Sequence, residues 1–121
     1  MPLQRLEHCL VLTDDLEKTR AFYCDALGLR EGPRPDIDFP GYWLYLGEVP
    51  YVHVAEWRTY RSHAERATGV PLQEHSRQTG PVDHVAFVAS DYESVLARLS
   101  AAGIDPHRSV LLGNGFRQLF L

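Results

Sequence analysis

The chain has 121 residues and a formal net charge of −4, with 45% hydrophobic and 23% charged residues. This length fits one compact domain with its own hydrophobic core. The acidic charge excludes the basic field that nucleic-acid binding needs, and no stretch approaches the roughly 18 consecutive apolar residues of a membrane span. The N-terminal residues lack a basic region followed by a long apolar core, so we expect no signal peptide and a cytoplasmic location.

The first element in chain order is a predicted strand over 6–12, in which alternate side chains point to opposite faces. His8 shares its face of this strand with Leu10 and Leu12. Asp14 and Glu17 then have the spacing of a capping box, which predicts the start of a helix. Gly28 offers the C-terminal stop of that helix.

Two further strands are predicted at 42–46 and 51–57, joined by a turn at Gly47-Glu48. The second strand carries His53. Glu56 lies on the opposite face from His53, so at most one of the two faces a cavity, and a slip in register would exchange them.

A polar stretch over 58–80 is predicted to connect two halves of the molecule, with a short helix over 61–67, and to cover the site. His63 lies in this stretch, and we expect it to be exposed to solvent.

An internal repeat is the most informative feature of the chain. Leu6-Glu7-His8 recurs 76 positions later as Val82-Asp83-His84, and a second capping pattern follows at Ser90 and Glu93. Two copies of one unit related by a pseudo-two-fold axis would bring His8 and His84 together. Convergent imidazoles are the start of a metal site.

The last predicted strands, at 104–112 and 116–121, flank the turn signal Gly113-Asn114-Gly115. The repeat places the counterpart of His53 at position 129, beyond Leu121. We therefore expect the second unit to lack its last strand as written, and the native product to continue past Leu121 with a turn and a further strand.

The whole pattern resembles the vicinal oxygen chelate superfamily, which includes glyoxalase I, extradiol dioxygenases, fosfomycin-resistance proteins and bleomycin-binding proteins. The segments that carry the resemblance are E-H-C-L-V-L-T-D-D-L-E-K-T-R-A-F-Y-C-D-A-L-G-L at the start, P-G-Y-W-L-Y-L-G, V-H-V at 52–54, G-P-V-D-H-V-A-F at 80–87 and R-Q-L-F-L at the end.

The resemblance implies an α+β fold of two βαβββ modules whose curled mixed sheets surround a central cavity. Module 1 would span about 4–57, the connection 58–80 and module 2 about 81–121. The fold does not settle the reaction, because one fold hosts many chemistries.

The resemblance also implies a divalent metal ion, with His8 and His84 as equivalent ligands and His53 at a position where some members supply another. It further implies a glutamate ligand on the last strand of the second module, which is the strand we expect beyond Leu121. In such a site the ion is a Lewis acid that binds adjacent oxygens of a substrate. Imidazole ligands admit Zn, Fe, Ni or Co, and a mixed set with carboxylate admits Mn, so the ligand type does not choose the metal.

Four side chains are candidates for a substrate pocket: Trp43, Tyr45, Tyr51 and Arg117. The resemblance implies, and the pair of histidines favours, a metal-dependent enzyme acting on a small molecule, as a lyase, an isomerase or a ring-cleaving dioxygenase, and we expect a homodimer. Two alternatives stay open at this point. One is a non-catalytic protein of the same fold that sequesters a small molecule such as a drug, and the other is an interaction module completed by a second chain.

Overall fold

The computed structural model describes residues 5–68, 87, 89–110 and 117–121. In this part of the chain the elements are β1 (Cys9–Thr13), α1 (Leu16–Ala21), β2 (Arg30–Gly32), β3 (Gly41–Leu46), β4 (Val49–Glu56), α2 (Trp57–Thr68), α3 (Tyr92–Ala101), β5 (His107–Val110) and β6 (Arg117–Phe120). A π-helical turn, Phe22–Ala26, continues α1. The predicted α+β class is confirmed.

Four of the strands form one mixed sheet in the order β1-β4-β3-β2, in which β1 is parallel to β4 and the other neighbours are antiparallel. The strands β5 and β6 form an antiparallel pair. The predicted strands are present with shifted ends, and β2 was not predicted, because its three residues are too few to show a periodic pattern. The turn at 113–115 and His84 lie outside the described residues.

The hydrophobic core lies on one face of the four-stranded sheet. Its buried centre consists of Leu29, Leu44, Val52 and Val54. Side chains from β1, α1 and the π-helical turn pack around this centre. Because side chains alternate along a strand, the residues between these positions, which include Trp43 and His53, belong to the other face of the sheet.

Both capping predictions are wrong by one residue. The N-cap of α1 is Asp15, whose side chain accepts a hydrogen bond from the Lys18 backbone N–H at 3.0 Å. The N-cap of α3 is Asp91, whose side chain accepts from Ser94 N–H at 3.0 Å. Each cap residue has extended backbone and reaches the third residue of its helix, as an N-cap requires.

The repeat persists in the structure, but its offset drops from 76 to 75 within the first helical unit. Asp15 and Asp91 are 76 positions apart, whereas Gly28 and Gly103, which end the two units with φ of 84° and 74°, are 75 apart. The π-helical turn accounts for the difference, because a turn of this kind accommodates one extra residue within a helix.

Each unit also joins its helix to a strand through an equivalent glutamate. Glu17 of α1 accepts a hydrogen bond from the Tyr42 hydroxyl on β3. Glu93 of α3 lies 3.4 Å from the Arg117 guanidinium on β6. Glu17 and Glu93 are 76 positions apart, which is the offset before the π-helical turn. Their partners Tyr42 and Arg117 are 75 positions apart, which is the offset after it.

The helix predicted over 61–67 is longer than expected and begins directly after β4, at Trp57. The predicted strand end at residue 57 is therefore one residue too late. No helix in the described ranges is both long and apolar enough to cross a bilayer. The division of the chain into two modules and a connection stays a prediction.

Candidate metal centre

The parallel pairing of β1 with β4 brings His8 and His53 together. Leu10 is the register partner of His53, and His8, two residues earlier in an extended segment, lies on the same face. The two imidazole rings stack with a centroid separation of 3.9 Å and an angle of 8° between their planes. Two of the three predicted metal ligands are thus neighbours.

A third ring completes this arrangement. Trp43 on β3 is the register partner of His53 on β4, and its indole stacks on the imidazole with centroids 4.2 Å apart and planes at 12°. Trp43 on β3, His53 on β4 and His8, the residue before β1, therefore form a continuous ring stack with His53 in the middle.

The environment of His53 favours its neutral form. Its Nε2 is buried and has no hydrogen-bond partner among the residues that the structure describes. The largest cause that lowers the pKa of His53 is burial, and the next largest is the neighbouring His8. A neutral imidazole can offer a lone pair to a metal ion, whereas a protonated one cannot.

His8 is held less firmly than His53. It lies just before β1, its side chain is 39% exposed, and its Nδ1 is 3.8 Å from the Glu7 carboxylate. It contacts the ring stack through one face only, because it is the terminal ring of the three.

The donor set fits a divalent metal ion in part. Imidazole nitrogens suit Zn, Fe, Ni or Co, and a buried nitrogen without a partner suits a ligand. The near-parallel planes of His8 and His53, however, direct their lone pairs along separate planes instead of toward one point. No group of three metal-binding side chains occurs within the described ranges. The predicted meeting of His8 with His84 lies outside these ranges.

Glu56 is not brought to the ring stack. Its carboxylate lies 3.6 Å from the Arg58 guanidinium and accepts a hydrogen bond from the Thr59 hydroxyl at 3.4 Å. In the observed register Glu56 pairs with Thr13, at the end of β4. The alternative in which a register slip makes Glu56 the ligand is therefore not the arrangement observed.

Of the four predicted pocket residues, Trp43 contacts a candidate ligand. The Tyr45 hydroxyl donates to the Pro33 carbonyl at 2.5 Å, and its ring lies 5.0 Å from the Arg30 guanidinium carbon. Tyr51 is half-buried on β4. The Arg117 guanidinium carbon lies 3.9 Å from the centre of the Tyr92 ring at the start of α3, so the structure does not group it with Trp43.

One polar cluster was missed by sequence reasoning. Both oxygens of Asp38 are engaged by α2, Oδ1 by His63 Nδ1 at 2.6 Å and Oδ2 by the Arg66 guanidinium at 2.5 Å. The hydrogen bond with Arg66, and to a smaller extent the one with His63, holds the pKa of Asp38 below its usual range. The prediction that His63 is exposed is wrong, since its ring is half-buried and lies 4.7 Å from that of Phe39.

The spacing of His63 and Arg66 was the available signal for this cluster, because residues three apart lie on one face of a helix. Their common partner, Asp38, precedes them by 25 and 28 positions. Nothing local in the sequence connects that aspartate to the helix.

Comparisons with known proteins bear on the family and the fold of the chain. Residues 7–118 match the family model described as the glyoxalase/bleomycin resistance protein/dioxygenase superfamily. No curated protein matches the chain at a significant level.

Solved structures with the same fold include a fosfomycin resistance protein from Listeria monocytogenes, at 18% identity and a TM-score of 0.62, covering 97% of this chain and 82% of that one. A lactoylglutathione lyase from Agrobacterium tumefaciens is similar at 20% identity and a TM-score of 0.63, covering 98% of this chain and 84% of that one. An integron cassette protein from the mobile metagenome of a Halifax Harbour sewage outfall is similar at 20% identity and a TM-score of 0.62, with coverage of 98% and 97%. The chain therefore belongs to the glyoxalase/bleomycin resistance protein/dioxygenase superfamily, which is the vicinal oxygen chelate superfamily.

Proposed function

We propose that this protein is a metal-dependent enzyme of the vicinal oxygen chelate type, which acts on a small substrate with two adjacent oxygens as a lyase, an isomerase or a ring-cleaving dioxygenase. The proposed ligands are His8, His53 and His84. The observation that carries the proposal is the placement of His8 beside His53, whose buried Nε2 has no hydrogen-bond partner among the described residues.

The residues of the ring stack would have distinct roles. His53 offers a neutral, water-shielded nitrogen, because burial lowers its pKa. His8 offers a more exposed nitrogen at the edge of the sheet. The chemistry that a divalent ion supplies when bound is Lewis-acid polarisation of adjacent substrate oxygens. Zn, Fe, Mn, Ni and Co all remain candidates.

A second candidate is a non-catalytic protein that binds a small molecule. The observation that favours it is the ring stack itself, because each of its terminal rings, Trp43 and His8, has an outer face that the stack leaves uncovered and on which a planar molecule can lie. This function requires no ion and no open coordination position. The two candidates therefore differ in their dependence on metal.

Metal analysis of the purified protein tests the proposal, with protein treated with a chelator as the reference. We expect about one divalent ion per chain, lost on chelation and restored by adding Zn²⁺, Fe²⁺, Co²⁺, Ni²⁺ or Mn²⁺. His8→Ala and His53→Ala should each weaken binding, whereas His107→Ala, at an exposed histidine on β5, should not. A wild-type protein that binds none of these ions would refute the enzyme proposal and favour the second candidate.

We also propose a homodimer. Leu6, Phe120 and Leu121 are exposed apolar residues, and removing apolar area from water between two chains would stabilise a dimer. Light scattering coupled to gel filtration should give about twice the chain mass of 13.7 kDa. A mass of one chain at all working concentrations would refute the dimer.

A further inference from the structure

Resting on the proposed function, we propose that Trp43 is a positioning residue that fixes His53 as the stationary metal ligand, and that His8 is the ligand that turns when an ion binds. The juxtaposition that carries this inference is the ring stack of Trp43 on β3, His53 on β4 and His8 just before β1.

The position of Trp43 follows from the sheet. Its backbone is the register partner of His53 in an antiparallel pair, so the two side chains stand next to each other on one face. The indole covers one side of the imidazole, with centroids 4.2 Å apart. A ring covered in this way cannot leave its rotamer without losing the stacking contact.

The geometry of the two imidazoles requires one of them to move. The lone pair of an imidazole nitrogen lies in the plane of its ring, and the planes of His8 and His53 are within 8° of parallel, with centroids 3.9 Å apart. The lone-pair directions of the two rings therefore do not meet at one point. The stacked pair cannot bind one ion until one ring turns.

The surroundings of the two rings decide which one turns. His53 lies inside β4, is covered on both faces by other rings, and has a buried Nε2. His8 lies outside the regular part of β1, is covered on one face by His53, and is 39% exposed. Turning His8 breaks one ring contact at the edge of the sheet, whereas turning His53 would break two in its interior.

Proton NMR of the metal-free protein tests the role of Trp43 without depending on metal. The His53 ring protons should be shifted upfield relative to those of the exposed His107, because they lie over an indole face. Trp43→Leu should remove most of this shift, and Trp43→Phe should restore part of it. Tyr45→Leu, two residues along the same strand with its ring against Arg30, is the matched control and should leave the His53 signals unchanged.

Zn²⁺ titration followed by calorimetry and by the same NMR signals tests the movement. Trp43→Leu should weaken Zn²⁺ binding by roughly 10- to 100-fold, as loss of groups that orient a ligand does, while Trp43→Phe should bind almost as the wild type does. At saturating Zn²⁺ the contact between the His53 and Trp43 protons should persist, and the contact between His8 and His53 should be lost.

Three results would overturn the inference. The positioning role of Trp43 is refuted if the His53 signals of Trp43→Leu are identical to those of the folded wild type. The movement of His8 is excluded if the contact between His8 and His53 persists at saturating Zn²⁺. A wild-type protein that binds no Zn²⁺ or other tested ion would refute the proposed function and the movement together. The metal-free spectra would still decide whether Trp43 fixes His53.

Discussion

Replacing Leu44 by alanine tests the placement of the core on one face of the sheet. Leu44 has no solvent exposure and lies at the centre of the buried cluster with Val52 and Val54. The substitution removes the Cγ and both Cδ carbons, which corresponds to ~2.4 kcal/mol of lost transfer free energy at ~0.8 kcal/mol per carbon. The cavity left behind adds about 24 cal/mol for each Å³ that does not collapse, so the expected cost is ~2–5 kcal/mol.

Leu46 provides a matched control, because it carries the same side chain on the same strand and is 44% exposed. Leu46→Ala should cost at most ~1 kcal/mol, since about half of the transfer free energy is already absent and no closed cavity forms. Urea unfolding followed by circular dichroism measures both free energies, provided that the slope with urea is unchanged. Equal losses for the two variants, or a loss under ~1 kcal/mol for Leu44→Ala, would refute the assignment of the core face.

Three further predictions use the same unfolding assay. Leu99→Ala should cost ~2–5 kcal/mol, because this side chain on α3 has no solvent exposure; a change within ~0.5 kcal/mol would show that the buried face of α3 is wrong. Asp15→Ala and Asp91→Ala should each cost ~0.5–2 kcal/mol by removing an N-cap. Ser90→Ala should change the free energy of unfolding little, and a larger loss for Ser90→Ala than for Asp91→Ala would show that Ser90 is the N-cap of α3. The folded-state pKa of Asp38 is below its unfolded value, so this group stabilises the fold above the unfolded pKa of about 3.9 and ceases to do so as the pH falls through the folded value. Asp38→Asn should therefore reduce the loss of stability at acid pH in a plot of the urea midpoint against pH. An unchanged loss at acid pH would contradict the pairing of Asp38 with α2.

The family and the fold class could be predicted from the sequence because they depend on local patterns. Alternating apolar residues predicted β1, β3 and β4, and Gly28 correctly marked the end of the first helical unit. The repeat was visible as His8 and His84 at a fixed offset. These signals need no knowledge of which distant residues meet.

The capping residues show where a local pattern was ambiguous. Asp14 and Asp15 are adjacent acids, and the spacing to Glu17 favoured the first. In the structure the Thr13 side chain accepts a hydrogen bond from the Asp15 backbone N–H at 3.1 Å, and Asp15 reaches the backbone of Lys18. The choice depended on a backbone conformation that residue types alone did not specify.

The candidate site was decided by tertiary structure. His53 became the centre of the ring stack because β4 pairs with β1 on one side and with β3 on the other, which places His8 and Trp43 against its two faces. Trp43 is 10 positions from His53 along the chain, and His8 is 45. Strand pairing over such separations is determined by the register of the whole sheet, since a shift of one residue would move each side chain to the opposite face. The sequence alone determined that histidines recur on predicted strands, and the tertiary structure determined that the rings of His8 and His53 stack and that His53 lies between His8 and Trp43.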